Sequence, residues 1–185
     1  ESNEKMMLNW FEKMTLKELQ NQQKTGSMKK VLQMEAVKQA ACHCFKSISG
    51  YESVEMVFDL DTHRIMIEYA ENDGEKYKFA LDEMSDGYKN TLSMISDIAY
   101  RMAVLNPQLG MEVLRKTPGI ILIDEVDLHL HPQWQQTIVK DLQNIFPKVQ
   151  FILTSHAPAV IHSVKKEHIR ILDDGNVYLP VEQTY

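Results

Sequence analysis

Two adjacent carboxylates, Asp124 and Glu125, directly follow a short and uniformly apolar run over residues 119–123. Such a run predicts a strand buried on both faces of a parallel sheet, and its end lies at the carboxyl edge, where open α/β folds bind ligands. Burying two neighbouring carboxylates is costly unless a cation or a reacting proton compensates. The pair therefore fits a magnesium site, and it fits equally a strand that ends in an acidic turn.

A second candidate is the segment Ser85-Asp86-Gly87 at the head of a predicted helix. Ser85 suits the N-cap position, and Gly87 permits a close approach of the backbone to a ligand. The free amides of a first helical turn favour phosphate. Alone, these residues also fit a plain helix cap.

The third candidate is His156, which follows a second apolar strand predicted over residues 151–153. In a doubly wound sheet, two neighbouring strands that both end in polar residues can place His156 near Glu125. If a nucleotide is bound, Asp124 would hold Mg²⁺ through water, Glu125 would activate the attacking water, and His156 would hydrogen-bond the γ-phosphate or that water. The alternative for His156 is a capping residue before the next helix.

The elements that must position these residues change in character along the chain. Residues 4–24 predict an amphipathic helix, and Ser27 can cap a second helix that ends near Lys46, so residues 1–50 form a helical arm or insertion. An antiparallel meander follows, with a hairpin turn at Asn72-Asp73-Gly74. Its strands are predicted over residues 54–60, 64–69 and 77–81.

From Ser85 onward, helix and strand alternate, which is typical of a parallel α/β layer. A helix over residues 87–105 ends before Pro107, and a later helix begins at Pro132 with Trp134 and Ile138 on its apolar face. The predicted fold class is α/β, a parallel sheet with flanking helices preceded by an antiparallel β-meander and a helical arm.

Composition restricts the class of protein. A net charge of −6 argues against binding of nucleic acid by bulk electrostatics, and no window is apolar enough to span a membrane. Cys42 and Cys44 lie two apart in a predicted helix and point in divergent directions, so we expect neither a disulfide nor a shared metal. We expect a cytoplasmic protein, and the sequence, which does not begin with Met, is interpreted as a piece of a longer chain.

Taken together, the three groups of residues resemble the second half of an ABC-type ATPase head of the SMC, RecF and OLD-like group. Residues 84–88 resemble the signature motif, residues 120–125 resemble Walker B, and residues 154–156 resemble the switch-histidine strand. The intervening run Asp127-Leu128-His129-Leu130-His131-Pro132 is similar to the D-loop region of OLD-like and RecF-like proteins. The resemblance implies that residues 51–185 form the C-terminal lobe of a P-loop NTPase.

The same resemblance implies a role for each candidate residue. ATP and Mg²⁺ are the implied cofactors. The Asp124 carboxylate would hold Mg²⁺ through water, while Glu125 and His156 would be catalytic. In such heads two protomers sandwich two nucleotides, so the remaining candidates would face the partner's ATP or the interface between protomers. These residues are Ser85, Asp86 and Gly87 of the signature and His131 of the D-loop.

Within this group, the segments around Ser85 and His131 are similar to PtuA-type ATPases of bacterial anti-phage systems, including retron-associated ones. That similarity implies an ATP-driven homodimer, or a higher oligomer, which controls an HNH nuclease of the PtuB type. In retron versions it also implies a reverse transcriptase with its RNA and DNA product. An OLD-like or RecF-like DNA-repair or DNA-processing ATPase is the alternative within the same class.

Three departures from the family pattern are visible. Asp86 replaces the first glycine of the usual signature, and His131 takes the place of the usual D-loop aspartate. No Gly-x-x-x-x-Gly-Lys-Ser/Thr sequence occurs in the 185 residues, so the Walker A loop and its N-terminal lobe are absent from this chain. We therefore expect ATP hydrolysis from the intact protein and not from this fragment alone.

Two other classes remain open at the level of sequence. One is a metal-dependent nuclease that uses the two carboxylates with His129 and His131, a plausible metal pair. The other is a non-catalytic scaffold for a nuclease or nucleic acid, with contacts through Trp10 and Phe11 of the first helix. Intramolecular packing is the simpler role for those two aromatic residues.

Overall fold

The computed structural model describes residues 3–27, 29–70 and 74–180. The first two helices, α1 and α2, pack with α3 and a three-stranded sheet around one apolar core. Seven helices have these bounds: α1 Asn3–Thr25, α2 Leu32–Ser49, α3 Asp86–Leu105, α4 Val113–Lys116, α5 Pro132–Gln135, α6 Ile138–Ile145 and α7 Pro158–His162. Short 3₁₀ turns cover Leu81–Glu83, Pro107–Glu112 and Lys166–His168.

Seven strands form three separate sheets within the described part of the chain. The antiparallel meander is confirmed, and the predicted turn at Asn72 and Asp73 lies outside the described residues. The second sheet is a parallel pair, and the third is a hairpin. The strands are β1 Ser53–Asp59, β2 Arg64–Ala70, β3 Lys76–Ala80, β4 Gly119–Ile123, β5 Val149–Leu153, β6 Ile171–Asp173 and β7 Asn176–Tyr178.

Helix α2 begins later than the sequence predicts. It starts at Leu32, and Ser27 does not cap it. The Glu18 carboxylate of α1 instead accepts a hydrogen bond from the Val31 amide at 2.6 Å, and a carboxylate at this end of a helix is favoured by the helix dipole. The other end stops at Gly50, whose left-handed conformation at φ 78° lets its amide bond the Lys46 carbonyl. A carboxylate thirteen residues away in sequence thus replaced the local cap.

The core lies between α2, α3 and the inner face of the meander. Met34, Phe45 and Leu92 are buried there with the other apolar stripe residues of both helices. Phe11 of α1 is 1% exposed and Trp10 packs edge-on against Tyr100, so these aromatic rings serve packing within the chain. The aromatic contacts of α1 therefore give the scaffold alternative no support.

Both cysteines of α2 are free thiols, as predicted. Burial raises the pKa of the Cys42 thiol to about 11 and that of the Cys44 thiol to about 12. Thiols with such pKa values stay protonated at neutral pH and are poor nucleophiles and metal ligands. Cys42 and Cys44 act as small apolar residues.

The parallel pair β4 and β5 corrects one prediction. The apolar run was expected to be buried on both faces, but Ile120 and Leu122 are 64% and 72% exposed, while Ile121 and Ile123 pack against the core. Ile152 of β5 is 50% exposed on the same sheet. An apolar run indicates that burial of both faces of the strand is favourable. It does not identify the segment that covers each face. Among the described residues, nothing covers the outer one.

The helix predicted to begin at Pro132 is two helices. α5 is a single turn, and the chain then breaks at Gln136 and Thr137 before α6. The two parts pack on different partners, because Trp134 of α5 contacts α3 while Asp141 of α6 contacts α2. An uninterrupted apolar periodicity could not reveal this change of partner.

Asp141 ties α6 to α2 and generates a stability prediction. The carboxylate is 4% exposed, and Ser47 of α2 donates a hydrogen bond to its Oδ1 at 2.8 Å. Ser47→Ala leaves that buried oxygen without a donor, so we expect the free energy of unfolding to fall by about 1–3 kcal/mol. Chemical denaturation measures it. The matched control is Ser53→Ala, because Ser53 is exposed and its side chain makes no hydrogen bond to another described residue. An equal loss in both variants would contradict the prediction.

Candidate functional site

The carboxyl ends of β4 and β5 lie side by side, as predicted. Ile123 pairs with Leu153 as the last residues of the ladder, so Asp124-Glu125 and Thr154 continue from neighbouring strands at one sheet edge. Main-chain hydrogen bonds extend past the strands, because Thr154 N donates to the Ile123 carbonyl and Val126 N donates to the Thr154 carbonyl, both at 3.0 Å. The acidic turn is thereby held against the end of β5.

Both carboxylates are exposed and remain available to a ligand. Glu125 forms no side-chain hydrogen bond or ion pair within the described part of the chain, and Asp124 uses one oxygen, Oδ1, to accept from the Thr154 hydroxyl. Glu125 adopts a left-handed backbone at φ 49°, which is unfavourable for a residue with a side chain. Strain of this kind persists where the surrounding structure enforces it, and it concentrates at functional sites.

His156 lies two residues beyond the shared edge and is exposed. The neighbouring Ser155 hydroxyl accepts from the amide of Ala157, the N-cap residue of α7, at 3.1 Å. His156 makes no hydrogen bond to another described residue. The capping alternative for His156 therefore has no support in the geometry, and the exposed imidazole has no partner among the described residues.

The residues present fit magnesium held together with phosphate better than a protein-only metal cage. Magnesium usually keeps several waters and takes one or two carboxylates together with substrate phosphates. Asp124 and Glu125 supply such a carboxylate pair. Among residues 3–27, 29–70 and 74–180, no three His, Cys, Asp or Glu side chains come together as metal ligands. The cluster that the nuclease alternative requires from His129 and His131 is therefore not assembled in these ranges.

The segment Ser85-Asp86-Gly87 begins the 20-residue helix α3. Ser85 occupies the N-cap position, but its hydroxyl makes no capping bond, and its carbonyl accepts from Lys89 N at 2.9 Å. Ser85 and Asp86 are exposed and Gly87 is buried. The start of α3 thus presents the polar residues Ser85 and Asp86 to solvent.

Gly87 is required for a reason that the sequence did not show. A Cβ built on Gly87 would lie 2.9 Å from the His129 carbonyl oxygen and 2.8 Å from Cζ3 of Trp134. Tyr88 adds a ring contact, with its centroid 4.4 Å from that of Trp134. The signature-like helix and the D-loop-like turn are therefore packed directly on each other.

His131 holds this D-loop-like turn at its far end. It is the N-cap residue of α5, and its Nδ1 accepts from Gln133 N at 3.4 Å. His129 has a left-handed backbone at φ 64°, which gives the turn its tight path toward Gly87. The exposed imidazole of His131 serves a local structural role here, which differs from the acidic side chain that it replaces.

Arg64 is a further residue of the site region that sequence analysis missed. Its guanidinium bonds both Asp82 carboxylate oxygens at 2.8–3.1 Å and Glu83 at 2.7 Å, and so fixes the 3₁₀ turn that leads into Ser85. The sequence does show a basic residue, Arg64, at the start of β2 and two acidic residues, Asp82 and Glu83, before the signature-like segment. Their pairing could not be predicted, because it depends on the register of the strands. Arg64 positions the entry to α3.

The packing around Gly87 generates a second prediction. Gly87→Ala forces Trp134 or the His129 carbonyl to move, and we expect a loss of about 1–3 kcal/mol in the free energy of unfolding. Denaturant titration followed by tryptophan fluorescence reports stability together with the combined environments of Trp10 and Trp134. Gly119→Ala is the matched control, because a Cβ there meets nothing within 4 Å. Equal behaviour of the two variants would show that Gly87 is not tightly packed.

The Arg64 contacts generate a prediction about pH. Hydrogen bonds from Arg64 hold the pKa of Asp82 below its usual range. The contribution to stability is therefore complete above the unfolded-state pKa and is lost as pH falls through the lower folded-state pKa. Because both side chains are substantially exposed, solvent screens the pair and we expect a small contribution to the free energy of unfolding.

Measuring the free energy of unfolding from neutral to strongly acidic pH for the wild type and Arg64→Gln checks this sign. The two curves should lie apart near neutrality and converge in acid. A difference that grows as the pH falls would show that the pair does not depress the pKa of Asp82 in solution.

Comparison with known proteins agrees with this geometry. Residues 10–162 match the family described as "AAA domain, putative AbiEii toxin, Type IV TA system". The chain is 47% identical over 97 residues to the "Retron Vc95 probable ATPase" of Vibrio cholerae, which covers 52% of this chain and 18% of that protein. It is 34% identical over 126 residues to the "Septu protein PtuA" of Bacillus thuringiensis, covering 64% of this chain and 30% of the relative. The chain thus spans less than a third of these relatives.

A solved structure of an SMC ATPase, described by its ATP-driven dimerization and DNA-stimulated activation, superposes with a TM-score of 0.50. The match covers 78% of this chain and 81% of that one at 16% identity, so it supports the α/β head fold alone. No helix among the described residues is long and apolar enough to cross a membrane. Since the family match extends over more than half of the sequence, the chain belongs to the ATPase family described as "AAA domain, putative AbiEii toxin, Type IV TA system".

Proposed function

We propose that this chain is the C-terminal lobe of an ABC-type ATPase that works in a bacterial anti-phage defence complex of the PtuA or retron type. The observation that carries the proposal is the shared edge of β4 and β5, where Asp124 and Glu125 are held by Thr154 and precede His156. Relatives named as a retron probable ATPase and as Septu PtuA support the biological setting.

Each residue of the edge then has a role in ATP hydrolysis. Asp124 would hold magnesium through water, and the chemistry supplied at this position would be neutralisation of charge on the phosphates. Glu125 would orient the attacking water and accept its proton, which suits an exposed carboxylate with no partner among the described residues. His156 donates a hydrogen bond to the γ-phosphate or orients the same water. Catalysis by positioning and electrostatics is the general mode of phosphoryl transfer.

The signature segment acts on a nucleotide held by a second protomer. Ser85, Asp86 and Gly87 form the first turn of α3, and Gly87 lies against the His129 carbonyl of the D-loop-like turn. This contact supports a single surface, made of the signature and the turn that ends at His131, which faces the partner protomer. Nucleotide binding would then bring two such surfaces together as a homodimer or within a higher oligomer.

An N-terminal lobe with the Walker A loop completes the site. The exposed apolar face of Ile120, Leu122 and Ile152 supports this, since parallel sheets are normally covered on both faces. The chain spans 18% of the retron ATPase that it resembles, which leaves ample length for such a lobe in a related protein. We place the lobe on this outer face, with the division between helical arm and C-terminal lobe near residue 50.

The ATP-dependent dimer would control an effector in the cytoplasm. By similarity to PtuA-type systems the effector is an HNH nuclease of the PtuB type, joined in retron versions by a reverse transcriptase with its RNA and DNA product. Binding free energy from ATP would shift the population from separate to paired heads, and the paired state would set nuclease activity. The acidic net charge of −6 favours protein contacts over bulk binding of nucleic acid.

Glu125→Gln in the intact protein tests the proposal. Glutamine keeps the shape but cannot accept the proton, so we expect turnover to fall by about 100-fold or more while ATP-bound dimers accumulate. Size-exclusion chromatography with ATP and a phosphate-release assay measure the two effects. Glu52→Gln is the matched control at an exposed position outside the shared edge. Wild-type turnover in Glu125→Gln would refute the assignment.

A further inference from the structure

Thr154 is joined to the acidic turn by four hydrogen bonds. Two use its main chain, which donates to the Ile123 carbonyl and accepts from Val126 N. The other two use its hydroxyl, which donates to Asp124 Oδ1 and accepts from Glu125 N at 2.8 Å. One side chain of β5 thus contacts both residues of the acidic pair.

The two hydroxyl bonds have no substitute in the described structure. Glu125 N has the Thr154 hydroxyl as its acceptor, and Asp124 has that hydroxyl as its hydrogen-bond donor. Thr154 is itself exposed, so its side chain is not there to fill the core. A serine retains the hydroxyl, whereas valine keeps the branched shape and loses both bonds.

Each bond constrains a different feature of the acidic pair. The bond to Oδ1 fixes the rotation of the Asp124 carboxylate and leaves Oδ2 without a partner among the described residues. The bond from the Glu125 amide holds that residue in its left-handed conformation at φ 49°, which sets the direction in which its side chain leaves the main chain. Without the hydroxyl, the carboxylate can rotate and the strained turn can relax.

We propose that Thr154 is a positioning residue whose hydroxyl holds Asp124 and Glu125 in the geometry needed for magnesium binding and water activation. The inference rests on the proposed function of the edge. It adds that the Thr154 hydroxyl couples the position of β5 to the positions of the two carboxylates that follow β4. Any shift of the strand that carries His156 would move both carboxylates through the same hydroxyl.

Thr154→Val in the full-length protein tests the inference. We expect kcat to fall about tenfold or more, as a lost hydrogen bond to a charged group implies, and the magnesium concentration that gives half-maximal activity to rise. The KM for ATP at saturating magnesium should stay within about twofold, because Thr154 contacts no nucleotide in this scheme. Thr154→Ser should behave as the wild type.

Two readouts do not depend on turnover. Thermal stabilisation by ATP should require more magnesium in Thr154→Val than in the wild type or in Thr154→Ser. Amide hydrogen exchange of the peptide that contains Glu125, measured without nucleotide, should be faster in Thr154→Val and unchanged in Thr154→Ser. Thr154→Ala removes the same hydroxyl and must reproduce both effects, which keeps the test valid if the valine variant folds poorly.

Thr117→Val is the matched control. Thr117 precedes β4 at its opposite end, and its buried hydroxyl has no partner among the described residues, so the change should leave kcat and the magnesium requirement unaltered. Unchanged kcat, magnesium requirement and exchange in Thr154→Val and Thr154→Ala would overturn the inference. So would a lower kcat at an unchanged magnesium requirement.

Glu125→Gln separates failure of the inference from failure of the proposed function. If Glu125→Gln blocks turnover while both Thr154 variants behave as the wild type, the positioning role is wrong and the ATPase assignment stands. If Glu125→Gln turns over normally, the proposed function itself is wrong, and faster exchange at Glu125 in Thr154→Val would then report only a structural bond.

Discussion

The site depends on a ladder of hydrogen bonds that continues beyond the end of the β4 and β5 strands. Asp124 and Glu125 are exposed, one residue is strained, and neither has an ion-pair partner among the described residues. Left to itself, such a turn would relax and the two like charges would separate. The bonds of Thr154 prevent this, because they attach the turn to a strand that the core already fixes through Phe151 and Leu153.

Helix α3 organises the remaining half of the site in the same manner. Its apolar side, including Leu92 and Ile95, is fully buried, so the helix cannot slide without disrupting the core. Its first turn lies against the D-loop-like turn at Gly87, with no space for even one additional carbon atom. The positions of the exposed residues Ser85 and Asp86 are therefore fixed by the packing of the opposite, buried side of the helix.

Sequence patterns predicted the elements well, since each depends mainly on its own residues. The parallel pair, the meander and α3 follow from local periodicity and turn residues. The pattern was wrong where a distant residue replaced a local signal, as when Glu18 took over the capping role expected of Ser27. It was also wrong about the outer sheet face, because apolarity at Leu122 does not identify what covers it.

The candidate site shows the same limit at the scale of single atoms. Asp124, Glu125 and His156 could be selected from type and spacing, and Gly87 could be selected as a close-approach glycine. The role of Thr154 could not, because it depends on β5 lying in parallel register beside β4 with Leu153 opposite Ile123. The contact of Gly87 with Trp134 likewise requires α5 to end after one turn, which no periodicity indicates.

Three incomplete surfaces give a consistent account of how this chain would work. Among the described residues, the carboxylates of Asp124 and Glu125 have no ion-pair partner, the outer face of β4 and β5 is exposed, and the first turn of α3 presents Ser85 and Asp86 to solvent. Exposed Ile and Leu on a sheet face have an unfavourable hydration free energy, which favours covering of the outer face by another segment. In the proposed function, these surfaces would meet a nucleotide, a second lobe and a second protomer, so binding at one would alter what the others can reach. If the protein assembles in response to ATP, as proposed, the free energy of assembly would come from contacts that form only when nucleotide is bound, and exposed surfaces of this kind would supply those contacts.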